Sequence, residues 1–294
     1  MNHQAPFFIL ANPRSGSSLL RIICECNKQL TVPPESGFML WWKDTYKDLS
    51  QKEMMDDRTL SVILDDILSS RKMETWQLQK EELMAFVGSH SPKNYAELCS
   101  LVYYHFGYSR GKRPEYWGDK NNYYIHHLEA ITALFPKAKF IHLVRDGRDV
   151  ACSYRKLKQL KSTSAYAPRL TAEIDEIALE WDDNNTNIFN FLKNIEKENQ
   201  YVVKYEEVLL QLEKTCRNIC TFLQVEYDPE MLEYHIANKE LSLEPSETID
   251  WKKKTLEKPD RSRIGQYKKQ LRPLDIERFN QIARTSLQRY GYKS

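Results

Sequence analysis

No apolar run in the 294-residue chain approaches the ~20 residues a membrane span needs. The N-terminal apolar stretch is only Phe7-Phe8-Ile9-Leu10, too short for a signal peptide. The six cysteines (24, 26, 99, 152, 216, 220) have no metal-ligand spacing. Internal repeats, low-complexity tracts and Gly/Ser linkers are absent, so one domain is the economical reading. Also missing is G-x-x-x-x-G-K-[ST], the kinase form of the phosphate cradle. Formal net charge is only +2, which implies no global affinity for polyanions. These absences point to a cytoplasmic protein with reduced thiols and no transmembrane segment.

With 41% apolar residues and 12% aromatics, the chain can bury a substantial core. Phe7–Leu10, KFIHLV (139–144) and YVVK (201–204) have strand character, and a fourth strand is expected around Trp117. Helical patterns separate them. One runs through Ile174, Ile177, Ala178, Trp181, Ile188, Leu192 and Ile195, and another from Pro273 to Tyr290. Leu209, Leu212, Cys216, Ile219, Cys220 and Leu223 share one apolar helical face, which makes Cys216 and Cys220 core thiols. Alternating strands and helices predict an α/β fold: a three-layer α/β/α domain around a parallel sheet. Residues 37–116 are rich in aromatics and lack a clear strand, and read as a helical insertion over the carboxyl edge of the sheet.

Two stretches carry the chemistry. In ANPRSGSSLLR (11–21) a small-residue turn joins the first strand to a helix. Backbone amides from Ser15 to Leu19, with Gly16, would point at an anion, aided by the helix dipole and the Ser17 and Ser18 hydroxyls. Arg14 adds a planar cation able to grip two oxygens. In KFIHLVRDGRDVACSY (139–154), Arg145 emerges at the end of a strand and Ser153 lies about a turn and a half into the next helix, able to share a phosphate with it. Between Trp251 and Arg272 nine Lys/Arg face only Glu257 and Asp260, which marks a solvated face or an anion-docking surface.

Taken together, these stretches resemble the sulfotransferase family. PRSGSSLLR is similar to its 5′-phosphosulfate loop and LVRDGRDVACS to its 3′-phosphate motif. WGDKNNYYIHHLEAITALFPKAKF, YVVKYEEVLLQLEKTCRNICTFL and SRIGQYKKQL resemble later family segments in the right order. The pattern lies nearest the bacterial and tyrosylprotein-type branch, whose loop carries Arg where the small-molecule cytosolic branch usually has Lys. The resemblance fades across 40–115, the region that meets the acceptor in this family. The lysine segment reads D-K-N-N rather than the more usual D-K-x-P, so the turn after Lys120 lacks the rigidity of a proline.

The resemblance implies a P-loop-like fold and sulfo transfer from 3′-phosphoadenosine 5′-phosphosulfate (PAPS) to an acceptor hydroxyl or, less readily, an amine. 3′-Phosphoadenosine 5′-phosphate (PAP) is the product and no metal is needed. Arg14, Ser15, Gly16, Ser17, Ser18 and Leu19 would hold the 5′ side, and Arg145 and Ser153 the 3′-phosphate. The loop Arg261, Ser262, Arg263, Ile264 and Gly265 would fold over the nucleotide, with Tyr205 packed near it. Lys120 would stabilise the bridging oxygen as the sulfo group leaves. Arg14 would assist the same charge.

The base is open between Glu35 and a histidine. Glu35 lies in VPPESG, a proline-stiffened turn at the position of the tyrosylprotein-type catalytic Glu, and His105 or His90 are the histidine candidates. His142, mid-strand, reads as core. The aromatic insertion favours an apolar or aromatic alcohol (sterol, phenol or lipid) as small-molecule acceptor, with no nucleic acid partner. The alternatives are a P-loop kinase using ATP, for which Asp146 between Arg145 and Arg148 is a poor magnesium holder, and a nucleotide- or RNA-binding module using 251–272.

Overall fold

A computed structural model describes residues 5–160 and 162–293 of the chain. Five parallel strands form one sheet in the order β2-β3-β1-β4-β5: β1 Phe7–Leu10, β2 Leu30–Thr31, β3 Tyr116–Asp119, β4 Lys139–Val144 and β5 Gln200–Lys204. Phe7 pairs with Gly118 on one side and Lys139 on the other. All four residues of β1 are buried, as a strand covered on both faces requires. The strands fall where the sequence places them. The exception is β2, a two-residue strand too short to leave a periodic signal.

Alternation along β1 divides the core. Phe8 and Leu10 face one layer with Trp117 and Phe140, covered by the 37–116 segment and by Ile188 and Phe191. Phe7 and Ile9 face the other, against helix Ser17–Glu25 and helix Leu212–Leu223. Leu20, Ile22 and Ile23 are at most 1% exposed. Each such burial contributes ~1.5–3 kcal/mol, which anchors the helix behind the first loop. Cys216 and Cys220 are core thiols as expected, and burial pushes the Cys216 thiol up to about 12. No described helix is long and apolar enough to cross a membrane.

Two expectations need correction. The pattern from Pro273 to Tyr290 is two helices, Pro273–Ile282 and Arg284–Arg289, because Ala283 leaves the helical conformation. The apolar face around Leu209 likewise belongs to two helices, Tyr205–Leu210 and Leu212–Leu223. The 37–116 segment is largely helical, packs its aromatics on one face of the sheet, and reaches the carboxyl edge through Lys72. Phe38, Trp76 and Tyr103 are fully buried against that face.

All five strands are parallel, so the residues after β1, β3, β4 and β5 emerge on one edge. These are the loop 11–16, Lys120, Arg145 and Tyr205. The chain passes to β3 on one side of β1 and to β4 on the other, which opens a crevice at that switch point.

Candidate active site

The loop after β1 is built around a turn in which the Ser15 amide donates to the Asn12 carbonyl at 3.2 Å. Asn12 is itself held, accepting from Asn184 Nδ2 at 2.8 Å and donating to the Pro13 carbonyl at 2.8 Å. Arg14 and Gly16 both have positive φ, 66° and 97°. The first intrahelical bond runs from the Leu20 amide to the Gly16 carbonyl at 3.1 Å. The amides of Gly16, Ser17, Ser18 and Leu19 therefore precede the helical ladder, and all four residues line the pocket. A Cβ on Gly16 would lie 2.4 Å from the Tyr205 ring, so Gly16 lets the backbone and that ring close the cradle together. Ser15 is 1% exposed, its amide closes the turn, its buried Oγ has no partner among the described residues, and it stands behind the residues that line the pocket.

Three arginines converge beside this loop. Arg14 Nε donates to Ser153 Oγ at 3.1 Å and its terminal nitrogen to the Trp251 carbonyl at 2.9 Å. Arg145, 2% exposed, reaches the Arg14 carbonyl at 3.1 Å and the Arg263 carbonyl at 3.3 Å, with its guanidinium 4.5 Å above the Tyr205 ring. The Trp181 indole, in the core, donates to the Arg145 carbonyl at 3.1 Å and so sets where Arg145 leaves the strand. The buried Nε atoms of Arg145 and Arg263 have no partner among the described residues. Burial, then the charges of Arg263 and Arg145, pull Arg14 down to about 10. Cations clustered with unused donors favour an anionic group among them.

The C-terminal basic loop reaches the pocket through Arg263, held in place by buried Asp149. The Asp149 carboxylate accepts from the Gly265 amide at 2.7 Å and the Tyr267 amide at 3.0 Å. The other four residues of the predicted loop are placed elsewhere. Arg261 and Ser262 point into solvent, Ile264 packs on the core, and Gly265 makes the turn at φ 70°. None of these four lines the pocket.

At the other end of the pocket Glu35 lies between two lysines. Its Oε1 accepts from Lys120 and its Oε2 from Lys72 at 2.8 Å. Burial alone would raise the Glu35 pKa, but Lys120, Lys252 and Lys72 hold it well below the ordinary carboxylate range. Burial takes Lys120 down to about 8 against the pull of Glu35. Beneath them Asp119 accepts from the Tyr103 and Tyr124 hydroxyls, and burial lifts its pKa to about 7. After Lys120, Asn121 Oδ1 accepts from the Tyr123 amide at 3.1 Å, capping a 3-10 turn. That cap stiffens the turn where the sequence has no proline.

His105 lies away from this group. It is 6% exposed inside helix Tyr95–Tyr108, its ring 5.2 Å from Phe86, and does not line the pocket. Burial lowers its pKa. His142 is core as expected, with its Nε2 donating to Asn185 Oδ1 at 3.2 Å.

Lys72, Lys252 and Tyr166 line the pocket and were not anticipated. Lys252 belongs to the noted basic run, but nothing in sequence separates it from its neighbours. Lys72 is the only pocket-lining residue between 37 and 116, and it sits in no motif. Within the basic run Trp251 and Tyr267 are both 8% exposed, and Lys254 pairs with Glu257 at 2.7 Å.

Solved structures share this architecture. The sulfotransferase domain of the Synechococcus PCC 7002 olefin synthase aligns over 100% of this chain and 98% of its own, with TM-score 0.61 and 22% identity. That of the curacin biosynthetic pathway aligns over 99% of both chains, with TM-score 0.58 and 22% identity. A mouse sulfotransferase complexed with PAP aligns over 95% of this chain and 82% of its own, with TM-score 0.50 and 14% identity. No curated protein sequence matches significantly. The profile of the sulfotransferase family matches residues 6–229, and the chain belongs to that family.

Proposed function

We propose that the chain, acting as a single domain over residues 1–294, moves a sulfo group from PAPS to the hydroxyl of a small acceptor and releases PAP. The carrying observation is the convergence in one pocket of the Gly16–Leu19 amides, Arg14, Arg145, Ser153 and Arg263 with the Lys120–Glu35 pair. The unpartnered Nε atoms of Arg145 and Arg263 and the glycine cradle over Tyr205 fit a nucleotide that is anionic at both its 5′ and 3′ ends. Bound there, the donor supplies a sulfo group on a phosphate leaving group.

The residues then divide the work. The amides of the first helical turn and Arg14 hold the phosphosulfate, and Arg145, Ser153 and Arg263 hold the 3′-phosphate. Glu35 takes the acceptor's hydroxyl proton as the new O–S bond forms. Lys120 leaves Glu35 and stabilises the bridging oxygen, which keeps the electron pair of the S–O bond that breaks.

At the acceptor end, Glu35, Lys72 and Lys120 already neutralise one another in part, and Tyr166, Pro168 and Leu170 supply an apolar wall. This supports a neutral apolar or aromatic alcohol such as a phenol, sterol or lipid, with the 37–116 segment contributing through Lys72. Six free thiols suit a reducing, cytoplasmic setting.

Two observations weigh against the alternatives. Asp146, the strand-end acid a kinase would use, binds Arg148 at 2.8 Å instead. Trp251 and Tyr267, the aromatics a strand-binding surface would expose, are buried. Thermal shift with PAP against ATP–Mg²⁺, followed by labelled-donor screening of neutral alcohols, tests the reading. Stabilisation by ATP–Mg²⁺ alone would reject it.

A further inference from the structure

Lys72 has an unusual position. It is a non-glycine residue in the left-handed region, at φ 72° and ψ −2°, immediately before the 3-10 helix Met73–Trp76. Such backbone is strained for a residue with a Cβ and persists only where its surroundings hold it. Here they do. The Met73 amide donates to the Ser70 carbonyl at 3.0 Å, and the Lys72 carbonyl accepts from Thr75 Oγ1 at 2.6 Å.

The same turn is bonded to the chain on both sides of Glu35. The Trp76 indole donates to the Pro34 carbonyl at 2.9 Å, and the Ser36 hydroxyl donates to the Arg71 carbonyl at 3.3 Å. The turn carrying Lys72 is thereby fixed to the turn carrying Glu35, and the ammonium meets Oε2 at 2.8 Å. Lys120 occupies the other oxygen and comes from a different element, the end of β3.

The two lysines therefore have separable parts. We propose that Lys72 is the positioning residue of the base: it keeps Oε2 of Glu35 anchored and the carboxylate charged while Lys120 departs, leaving Oε1 free to receive the acceptor's proton. The inference rests on the reading of Glu35 as base. When Lys120 turns to the bridging oxygen, Glu35 loses its closest countercharge. The other charges facing it are Lys252 from the C-terminal segment and Asp119 below. Lys252 is already paired with Glu244 at 2.6 Å, and Asp119 opposes ionisation. Only Lys72 remains bonded directly to Glu35.

The experiment compares Lys72→Met and Lys72→Arg with wild type in kcat, in the pH dependence of kcat/KM and in PAP affinity. Carboxyl-edited NMR titration of Glu35 in the nucleotide-free protein adds a readout independent of turnover. Lys72→Met is expected to lower kcat at least about tenfold and to move the acidic limb up by about 1–3 pH units, the usual effect of losing an adjacent opposite charge. The Glu35 titration should move the same way, Lys72→Arg should recover most of both effects, and PAP should bind as in wild type. An unmoved acidic limb with near-normal kcat, or a fall in PAP affinity that matches the fall in kcat, overturns the proposal. Glu35→Gln, run alongside, separates the two readings. If it keeps wild-type turnover, the base assignment fails and the proposal with it. If it abolishes turnover while Lys72→Met changes nothing, the role of Lys72 alone is overturned.

Discussion

Arg14 Nε and Ser153 Oγ, 139 positions apart in sequence, meet at 3.1 Å and join the loop after β1 and the helix after β4 into one wall of the pocket. The contact exists because β1 and β4 are parallel neighbours, so the loop after one and the helix after the other leave the same edge. Ser153→Ala removes this link and the hydroxyl proposed to donate to the 3′-phosphate. We expect PAP affinity to fall about tenfold, one hydrogen bond to a charged group, with little change in thermal stability. Unchanged affinity by calorimetry would remove Ser153 from the site.

Arg145→Ala should cost more. Its guanidinium has an unused buried Nε and is aimed between the carbonyls of Arg14 and Arg263. Each charge-assisted bond contributes ~1.5–3 kcal/mol, so PAP should bind at least about tenfold more weakly. Adenosine 5′-phosphosulfate, without the 3′-phosphate, should lose much less. Equal losses for the two nucleotides would contradict a 3′-phosphate role.

Gly16→Ala puts a Cβ 2.4 Å from the Tyr205 ring, on backbone at φ 97° that a side chain disfavours. The loop must shift or the ring must leave. Nucleotide binding should be lost, and Gly16→Ala with Tyr205→Ala should recover part of it. No recovery in the double variant would point to the backbone angle alone.

Lys120 should set the alkaline limb of the rate profile. Burial lowers its pKa to about 8, so the charged form is lost as pH rises through that value. In kcat/KM, which reports the free enzyme, the rate should fall above about pH 8. Lys120→Arg should abolish that limb, and Lys120→Ala should lower kcat far more than it raises the donor KM. A limb unchanged in Lys120→Arg assigns it to another group.

Behind the site, Glu244 is 4% exposed and bonded to Arg21 at 3.0 Å and Lys252 at 2.6 Å. Burial opposes its charge, but the two cations bring its pKa down from 4.5 to about 2. A depressed folded-state pKa stabilises the fold above the unfolded value, and that stability is lost as pH falls from about 4.5 toward about 2. Glu244→Gln should be clearly less stable than wild type at pH 7, with the gap narrowing toward pH 3 in urea unfolding. A gap independent of pH would show that the ion pairs contribute little.

Local order was largely written in the sequence. Three of the five strands, β1, β4 and β5, announce themselves as apolar runs, and a fourth is legible around Trp117. The PRSGSSLLR turn, Arg145 at a strand end and Lys120 after Gly-Asp were legible because strand-turn-helix chemistry is encoded over a dozen neighbouring residues. Glu35 was visible as a proline-stiffened turn. What escaped depends on which distant side chains meet. His105, a candidate base in sequence, packs against Phe86 and is not among the residues that line the pocket. Arg261 and Arg263 look alike in sequence, and only the anchoring of the next turn by Asp149 turns Arg263 inward. Lys72 carries no motif. Its place beside Glu35 comes from the Trp76–Pro34 and Ser36–Arg71 bonds between segments more than 30 residues apart, as tertiary packing requires. The sequence by itself determined the order of strands and loops along the chain, since those follow from local periodicity and turn chemistry. Which charges face the pocket and which neutralise one another was decided only by tertiary structure, because Coulomb energy depends on distance in space and on burial, neither of which a linear pattern contains.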